Sequence, residues 1–203
     1  MNYKKITKCR ICKSDKIKKV LDLGNQAFTG KFPNLKNINV SETPLCISMC
    51  LKCKFIQLAH NFKSSYLYNS EYGYESGVNS TMKNHLSKIT QKISKLKKLT
   101  KNSIVLDIAS NDGTLLNSYN KDVIKIGIDP ILNRFKKNYS NINYTISDFF
   151  SYKNFKKINS SMKADVITAI AVFYDINDPN KFLADIKKCL DDNGIFIIEQ
   201  SNL

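Results

Sequence analysis

At 203 residues and 42% hydrophobic content, the chain has room for one medium domain with a smaller module attached. No apolar run reaches the roughly 18–20 residues of a membrane span and the opening MNYKKITK lacks a signal-peptide core, so the expected setting is cytoplasmic. The net charge of +15 raises nucleic acid as a partner, but every basic residue except Arg10 and Arg134 is a lysine, spread out rather than set between aromatics, so a solvated basic surface is the expectation.

Residues 1–60 carry five of the six cysteines. Without an export signal, disulfides are disfavoured relative to metal binding or plain packing. Cys9 and Cys12 form one Cys-x-x-Cys pair and Cys50 and Cys53 a second, each suited to a tight knuckle that aims two thiolates at one ion. The 37 residues between Cys12 and Cys50 exceed the spacing of a compact zinc ribbon. A segment this short has too little core to stand alone, so structural zinc on these four cysteines is predicted, with Cys46 a weaker stand-in and Cys189 an ordinary buried thiol.

Residues 61–100 read as a connector. It places Tyr66, Tyr68, Tyr72 and Tyr74 among Ser, Asn and Gly, too polar for a core and suited to a site-building loop. A helix follows, with Met82, Leu86, Ile89, Ile93 and Leu96 on one apolar stripe and lysines opposite.

Residues 101–203 alternate. Strands are predicted at 104–108, 123–128, 144–146, 165–172 and 195–198, with helices at 114–119, 132–139 and 179–190. Continuous apolar strands separated by helices imply a parallel sheet covered on both faces, with ligands beyond the carboxyl ends of its strands. The first strand exits into Asp107-Ile-Ala109-Ser110-Asn111-Asp112-Gly113, which has neither the dinucleotide fingerprint nor a phosphate loop. Its acids suit a cationic ligand such as an ammonium. Asp129, 22 residues after Asp107, ends the second strand in GIDP and is placed to accept ribose hydroxyls. Asp148 and Phe149 end the third, offering an acceptor and a flat face to adenine. Amine, ribose and adenine together describe S-adenosylmethionine better than a nicotinamide dinucleotide.

VLDIASNDGTLL, GIDP, the paired Cys-x-x-Cys and EYGYESGVNST together resemble the class I methyltransferases that carry an amino-terminal zinc-binding domain, best known as C-methyltransferases of nucleotide-linked 4-keto-deoxy sugars. The resemblance spans essentially the whole chain and implies an α/β fold: a Rossmann-like methyltransferase sheet lacking its last strands, preceded by a small zinc-binding domain. It implies that Asp107, Ser110, Asn111, Asp112 and Gly113 surround the amino-acid part of the cofactor. Asp129 and the adjacent Pro130 would serve the ribose, and Asp148 and Phe149 the adenine. Ala169 and Ala171 would lie under the sulfonium, with Tyr72, Tyr74 and Ser76 closing over the methyl group. Ala109 departs from the family's glycine and crowds the methionine part. Family members are about twice as long, and the half that follows the point where this chain ends carries their His-Glu-His segment, which supplies much of the substrate site, and is expected to hold the catalytic base. The chain is therefore expected to be an amino-terminal fragment, or one completed by a partner chain.

The implied reaction is carbon methylation beside a ketone of a small-molecule acceptor. Tyr174 and Asp175, on the loop after the fourth strand, are the local candidates for proton handling, with Tyr74 nearer the methyl; His60 and His85 read as surface or satisfied core residues. Two other functions stay open: a zinc-binding interaction module with a non-catalytic cofactor domain, and a nucleic-acid methyltransferase.

Overall fold

A computed structural model describes residues 3–27, 40–69, 71–120 and 122–201. The chain divides into two compact units, Met1–Tyr74 with Asn177–Asn180, and Glu75–Ile176 with Lys181–Leu203.

In chain order the first unit carries β1 (Tyr3–Lys5), β2 (Ile17–Ala27), β3 (Glu42–Cys50), β4 (Ile56–Leu58), β5 (His60–Phe62) and a single turn, α1 (Ser64–Leu67). β1 pairs antiparallel with β5, while β2, β3 and β4 form a separate antiparallel sheet in that order. These strands went unseen in the sequence because they lack alternation. Every residue of β2 after Ile17 is exposed, Val20, Leu21 and Leu23 included. Among the described residues of this unit, the buried hydrophobic ones are Cys9, Cys46, Cys50 and Ala59. A core of cysteines and one alanine excludes too little water to hold three strands together, so the stability must come from another source.

The second unit contains α2 (Ser80–Leu96), β6 (Ile104–Ile108), α3 (Thr114–Asn117), β7 (Ile124–Ile128), a 3-10 stretch (Leu132–Tyr139), β8 (Tyr144–Ile146), α4 (Tyr152–Phe155), β9 (Ala164–Ile170), a 3-10 turn (Phe173–Asp175), most of α5 (Pro179–Cys189) and β10 (Leu190–Glu199). The sheet is wholly parallel, in the order β10-β9-β6-β7-β8. β6 and β9 are neighbours although two strands separate them in sequence. The chain therefore winds outward in both directions from β6, the topology in which ligands bind beyond the carboxyl ends of the strands. The central strands read as unbroken apolar runs because both faces are covered: Leu106, Ile108, Ile126, Ile128 and Ile167 pack with Phe155 in one core.

α2 begins where the Asn79 side chain accepts the Thr81 N–H at 2.8 Å, and it buries Leu86, Ile89 and Ile93 as its periodicity requires. Leu96, expected on that stripe, is 72% exposed, since the helix ends there and its last turn runs past the core. The segment Leu132–Tyr139, expected as an ordinary helix, is a 3-10 stretch broken by non-helical torsions at Phe135. β9 stops at Ile170 rather than continuing to Val172, because Ala171 turns left-handed with φ 54°. No helix among the described residues is long and apolar enough to cross a membrane.

Asp165 fastens the start of two strands. One oxygen accepts the Ile104 N–H at 2.8 Å and the other faces Lys97 Nζ at 3.3 Å. Asp165→Ala leaves the Ile104 N–H without its acceptor and Lys97 with the Asn193 carbonyl alone, and is expected to destabilise the chain by about 2 kcal/mol, with Asp165→Asn, which keeps an acceptor for Ile104, costing about half as much. Denaturant unfolding of the three proteins side by side measures the difference.

Candidate functional site

The two Cys-x-x-Cys segments fold alike. After Cys9 and Cys12 the Lys13 N–H returns to the Cys9 carbonyl at 3.0 Å, and after Cys50 and Cys53 the Lys54 N–H returns to the Cys50 carbonyl at 2.8 Å. Both lysines take a left-handed conformation, φ 61° and 64°, which closes each knuckle and turns its two thiols the same way. All six cysteines are unbridged. Cys9 Sγ lies 3.6 Å from Cys53 Sγ and Cys12 Sγ 3.6 Å from Cys50 Sγ, and the four sulfurs lie within 4.8 Å of one another. A zinc ion with four thiolates at about 2.3 Å sets its sulfurs about 3.8 Å apart, so the cluster fits a tetrahedral zinc. The N–H of Cys53, ahead of other groups, draws the Cys50 thiol down to about 6, which favours a thiolate at neutral pH. Cys46 is buried but stands outside the group, as does Cys189.

The purified chain is expected to carry one zinc per molecule. Cys50→Ser should lower that content, and chelation of the wild type should expose the amides of β3 and β4 to hydrogen exchange. Elemental analysis and exchange mass spectrometry read the two effects.

In the second unit the turn after β6 requires left-handed torsions at Ala109 (φ 56°), Asn111 (φ 50°) and Gly113 (φ 78°). For a residue with a Cβ this costs roughly 1–2 kcal/mol, so the turn needs bonds that hold it. The Ala109 N–H donates to the Ile128 carbonyl at 2.8 Å, and Gly113 N–H to the Ser110 carbonyl at 2.8 Å. Asp129 is 5% exposed and works on both strand tips: Oδ2 accepts the Asn111 N–H at 2.9 Å, Oδ1 the Ile131 N–H at 2.8 Å. Tyr139, a residue the sequence reading did not single out, adds a buried hydroxyl 2.8 Å from Ser110 Oγ that also donates to the Asn111 carbonyl at 2.9 Å.

A strap of backbone lies on this turn. The Ser76 N–H donates to Asn111 Oδ1 at 2.9 Å and the Gly77 N–H to Asp112 Oδ2 at 2.6 Å, while Glu75 pairs with Arg134 at 3.0 Å. The second Asp112 oxygen takes the Thr114 N–H at 3.1 Å and its hydroxyl at 2.7 Å. The side chains of Asn111 and Asp112 thus bond to protein backbone. A groove of about 550 Å³ opens beside the strap, lined by Glu75, Lys83, Asn84, Asp112 and Asn138 among others; of the predicted ligand-binding residues it includes Asp112 alone.

A Cβ on Gly77 would stand 2.7 Å from both Asp112 Oδ2 and Thr114 Oγ1. Gly77→Ala is expected to lift the strap off the turn, speeding proteolytic cleavage near residue 77 several-fold while leaving the rest of the unit folded; limited proteolysis with mass mapping checks it.

Asp107 is 4% exposed and sits within β6 rather than beyond its end, its Oδ1 accepting the Thr168 hydroxyl from the paired position of β9 at 2.6 Å. Burial, opposed by the Thr168 bond and assisted by the Asp129 charge, pushes its pKa up to about 7. Burial also raises Asp129, against the two N–H groups it accepts. Neither acid has an ion-pair partner among the described residues. Tyr119, 5% exposed and also unremarked in the sequence, has a buried hydroxyl with no hydrogen-bond partner among the described residues. The pairs Asn111–Asp129, Ser110–Tyr139 and Asp107–Thr168 lie 18, 29 and 61 positions apart and carry no local pattern.

Asp148 is exposed, its oxygens accepting the Phe149 N–H at 2.7 Å and Asn154 Nδ2 at 2.9 Å. Phe149 and Pro130 are half-buried. Ala169 is fully buried between Ile108 of β6 and Ile198 of β10, and Ala171 is exposed just past the strand. Tyr174 and Asp175 lie exposed on the 3-10 turn that follows. Tyr72 and Tyr74 belong to the first unit, where Tyr72 meets Tyr68 edge-on at 5.2 Å. Within the second unit, then, Ser76, Asn111, Asp112 and Asp129 form one bonded network, and Asp107 is coupled to Asp129 through charge.

A family model described as a methyltransferase domain matches residues 78–203, and one described as a zinc binding domain matches residues 9–68. No curated protein matches the chain. Among solved structures, the PH0226 protein from Pyrococcus horikoshii OT3 superposes with a TM-score of 0.51 at 16% identity, over 70% of this chain and 64% of its own. The plantazolicin methyltransferase BpumL, solved with a pentazolic desmethylPZN analog and SAH, superposes with a TM-score of 0.50 at 20% identity, over 62% of this chain and 49% of its own. Both likenesses are of fold, and the chain spans about half the length of the second protein.

Proposed function

Because the chain belongs to the methyltransferase-domain family, we propose that it binds S-adenosylmethionine at the carboxyl ends of β6, β7 and β8 and methylates a carbon beside a ketone, on a nucleotide-linked 4-keto-deoxy sugar or a similar keto compound. The observation that carries this reading is the pair of buried acids, Asp107 and Asp129, raised in pKa and lacking a counter-cation among the described residues. Two carboxylates held in low dielectric beside a ligand crevice favour a cation, and repel the pyrophosphate of a dinucleotide.

When bound, the cofactor supplies a methyl group on a positively charged sulfur. The residues supporting its capture divide the work by position. Asp129, already accepting two N–H groups, has lone pairs left for ribose hydroxyls. Asp148 and Phe149 at the tip beyond β8 suit adenine, and the turn from Ala109 to Gly113 suits the amino-acid end. Asp107, screened from direct contact by its Thr168 bond, favours an ammonium through its field. Ser76 on the strap would complete the enclosure, Tyr174 and Asp175 standing nearest the acceptor. Zinc on Cys9, Cys12, Cys50 and Cys53 is structural in this reading and takes no part in transfer.

The raised Asp107 sets the sign of the pH effects. Its unfolded counterpart ionises near 4, so from there to about 7 the unfolded state has lost a proton that the fold retains, and ligand-free stability falls with rising pH across that window. A cationic ligand prefers the ionised form. Affinity for S-adenosylmethionine should therefore rise up to tenfold per pH unit as pH approaches 7 and level off above it. Asp107→Asn should flatten both profiles, and Asp129→Ala should weaken binding by roughly 10–100-fold. Isothermal titration with S-adenosylmethionine at pH 6 and 8 tests the set; equal heats from wild type and Asp129→Ala would remove Asp129 from the site.

A further inference from the structure

The groove of about 550 Å³ beside the strap falls within the roughly 300–1,000 Å³ of small-molecule sites. Three elements wall it: the strap running into α2, then α3, then the end of the 3-10 stretch Leu132–Tyr139. Each wall is tied to a neighbour. The Gly77 N–H reaches Asp112 at 2.6 Å, the Thr90 hydroxyl donates to the Ser118 carbonyl at 3.4 Å, and Asn117 Nδ2 donates to the Asn138 carbonyl at 2.8 Å. The cleft is therefore formed before any ligand enters, which lowers the cost of binding.

Its chemistry differs from that of the strand tips. The two acids in the lining are already answered: Glu75 by Arg134 at 3.0 Å, Asp112 by the Gly77 and Thr114 N–H groups and the Thr114 hydroxyl. Lys83 is the cation of the lining, and among the described residues its ammonium has neither an ion pair nor a hydrogen bond. The side-chain amides of Asn84 and Asn138 are likewise unbonded among the described residues. Ser87 and Ser118 add hydroxyls. Apolar surface is scarce, for Val78 supplies it and is itself 77% exposed, and no aromatic ring lines the groove to stack a base.

We propose that this groove is a binding site for a phosphorylated sugar, separate from the cofactor site. The surface calls for one anionic group, many hydroxyls and little apolar area. A phosphate suits the cationic end, because its oxygens accept several donors at once and Lys83, Asn84 and Asn138 offer them. The sugar hydroxyls, which both donate and accept, match the remaining amides and serines. Asp112 keeps room for one of them, since a carboxylate has about four acceptor positions and three are taken. An occupant spanning Lys83 and Asn138 joins α2 to the far wall and holds the strap against the acidic turn. The adenine and sulfonium of the cofactor find neither a stacking face nor an unanswered acid here.

Calorimetric titration of the full chain with glucose 1-phosphate tests the site, with glucose and inorganic phosphate as the separated halves. The sugar phosphate should bind at least ~10-fold tighter than either half. Lys83→Met should weaken it ~10–100-fold and Asn84→Ala by about threefold to tenfold. Circular dichroism melts establish that both variants fold, as expected of exposed helix positions. At saturation, proteolytic cleavage near residue 77 should slow several-fold. A nucleoside-diphosphate glucose separates the two sources of the group: tighter binding than glucose 1-phosphate assigns the groove to the nucleotide-linked form, weaker binding to the free sugar phosphate. No heat from glucose 1-phosphate, equal affinity for inorganic phosphate, undiminished binding by folded Lys83→Met, or unaltered cleavage at saturation overturns the inference. So does competition by S-adenosylmethionine, which would merge the groove with the cofactor site. Absence of heat from S-adenosylmethionine itself touches the methyltransferase reading alone.

Discussion

The second unit is organised around a carboxylate taken out of water at the tips of two parallel strands. Asp129 could not remain ionised there without donors, and the chain supplies two backbone N–H groups, one from the turn after β6 and one from its own downstream turn. Those bonds hold Asn111 in a conformation that side chains resist. With Asn111 held, its amide oxygen faces the strap, its carbonyl faces Tyr139, and the neighbouring Asp112 reaches Gly77. The cost of burying charge is thus converted into the shape of the turn. A second acid, Asp107, is disfavoured as an anion first by its own burial and then by the charge of Asp129.

The first unit meets the opposite problem. It has little apolar material, its longest strand is bathed in solvent, and its most buried side chains are sulfur-bearing. Four thiols converging within the reach of one ion are unfavourable neighbours without it, since each ionisation opposes the next. Bound metal reverses the sign of that interaction and gives the sheet a centre that side-chain packing does not provide.

The parts legible in the sequence were those governed by short-range rules. β6 and β8 fall where apolar runs placed them, and the α2 stripe follows helical spacing until the helix outruns the core at Leu96. The four cysteines declare themselves by spacing. The antiparallel strands of the first unit carry no hydropathy alternation to detect, and the kink at Phe135 falls between residues that include no Gly or Pro, with Phe135 and Tyr139 both buried. The acids were visible as strand-end residues, but their partners were not. Thr168 lies 61 positions from Asp107, and only sheet register brings such a pair together.

The twin knuckles have an effect on how freely the intervening chain can vary. A metal held by Cys12 and Cys50 ties off a loop of 37 residues, a topology in which entropy depends only logarithmically on contour length. Doubling that span would raise the closure cost by about 0.6 kcal/mol, a small fraction of what a tetrathiolate ion returns. Relatives should therefore differ widely in the number of residues between the two lysine-terminated hooks while keeping the hooks themselves, because the ion senses the geometry at its ligands and is indifferent to the length of the tether.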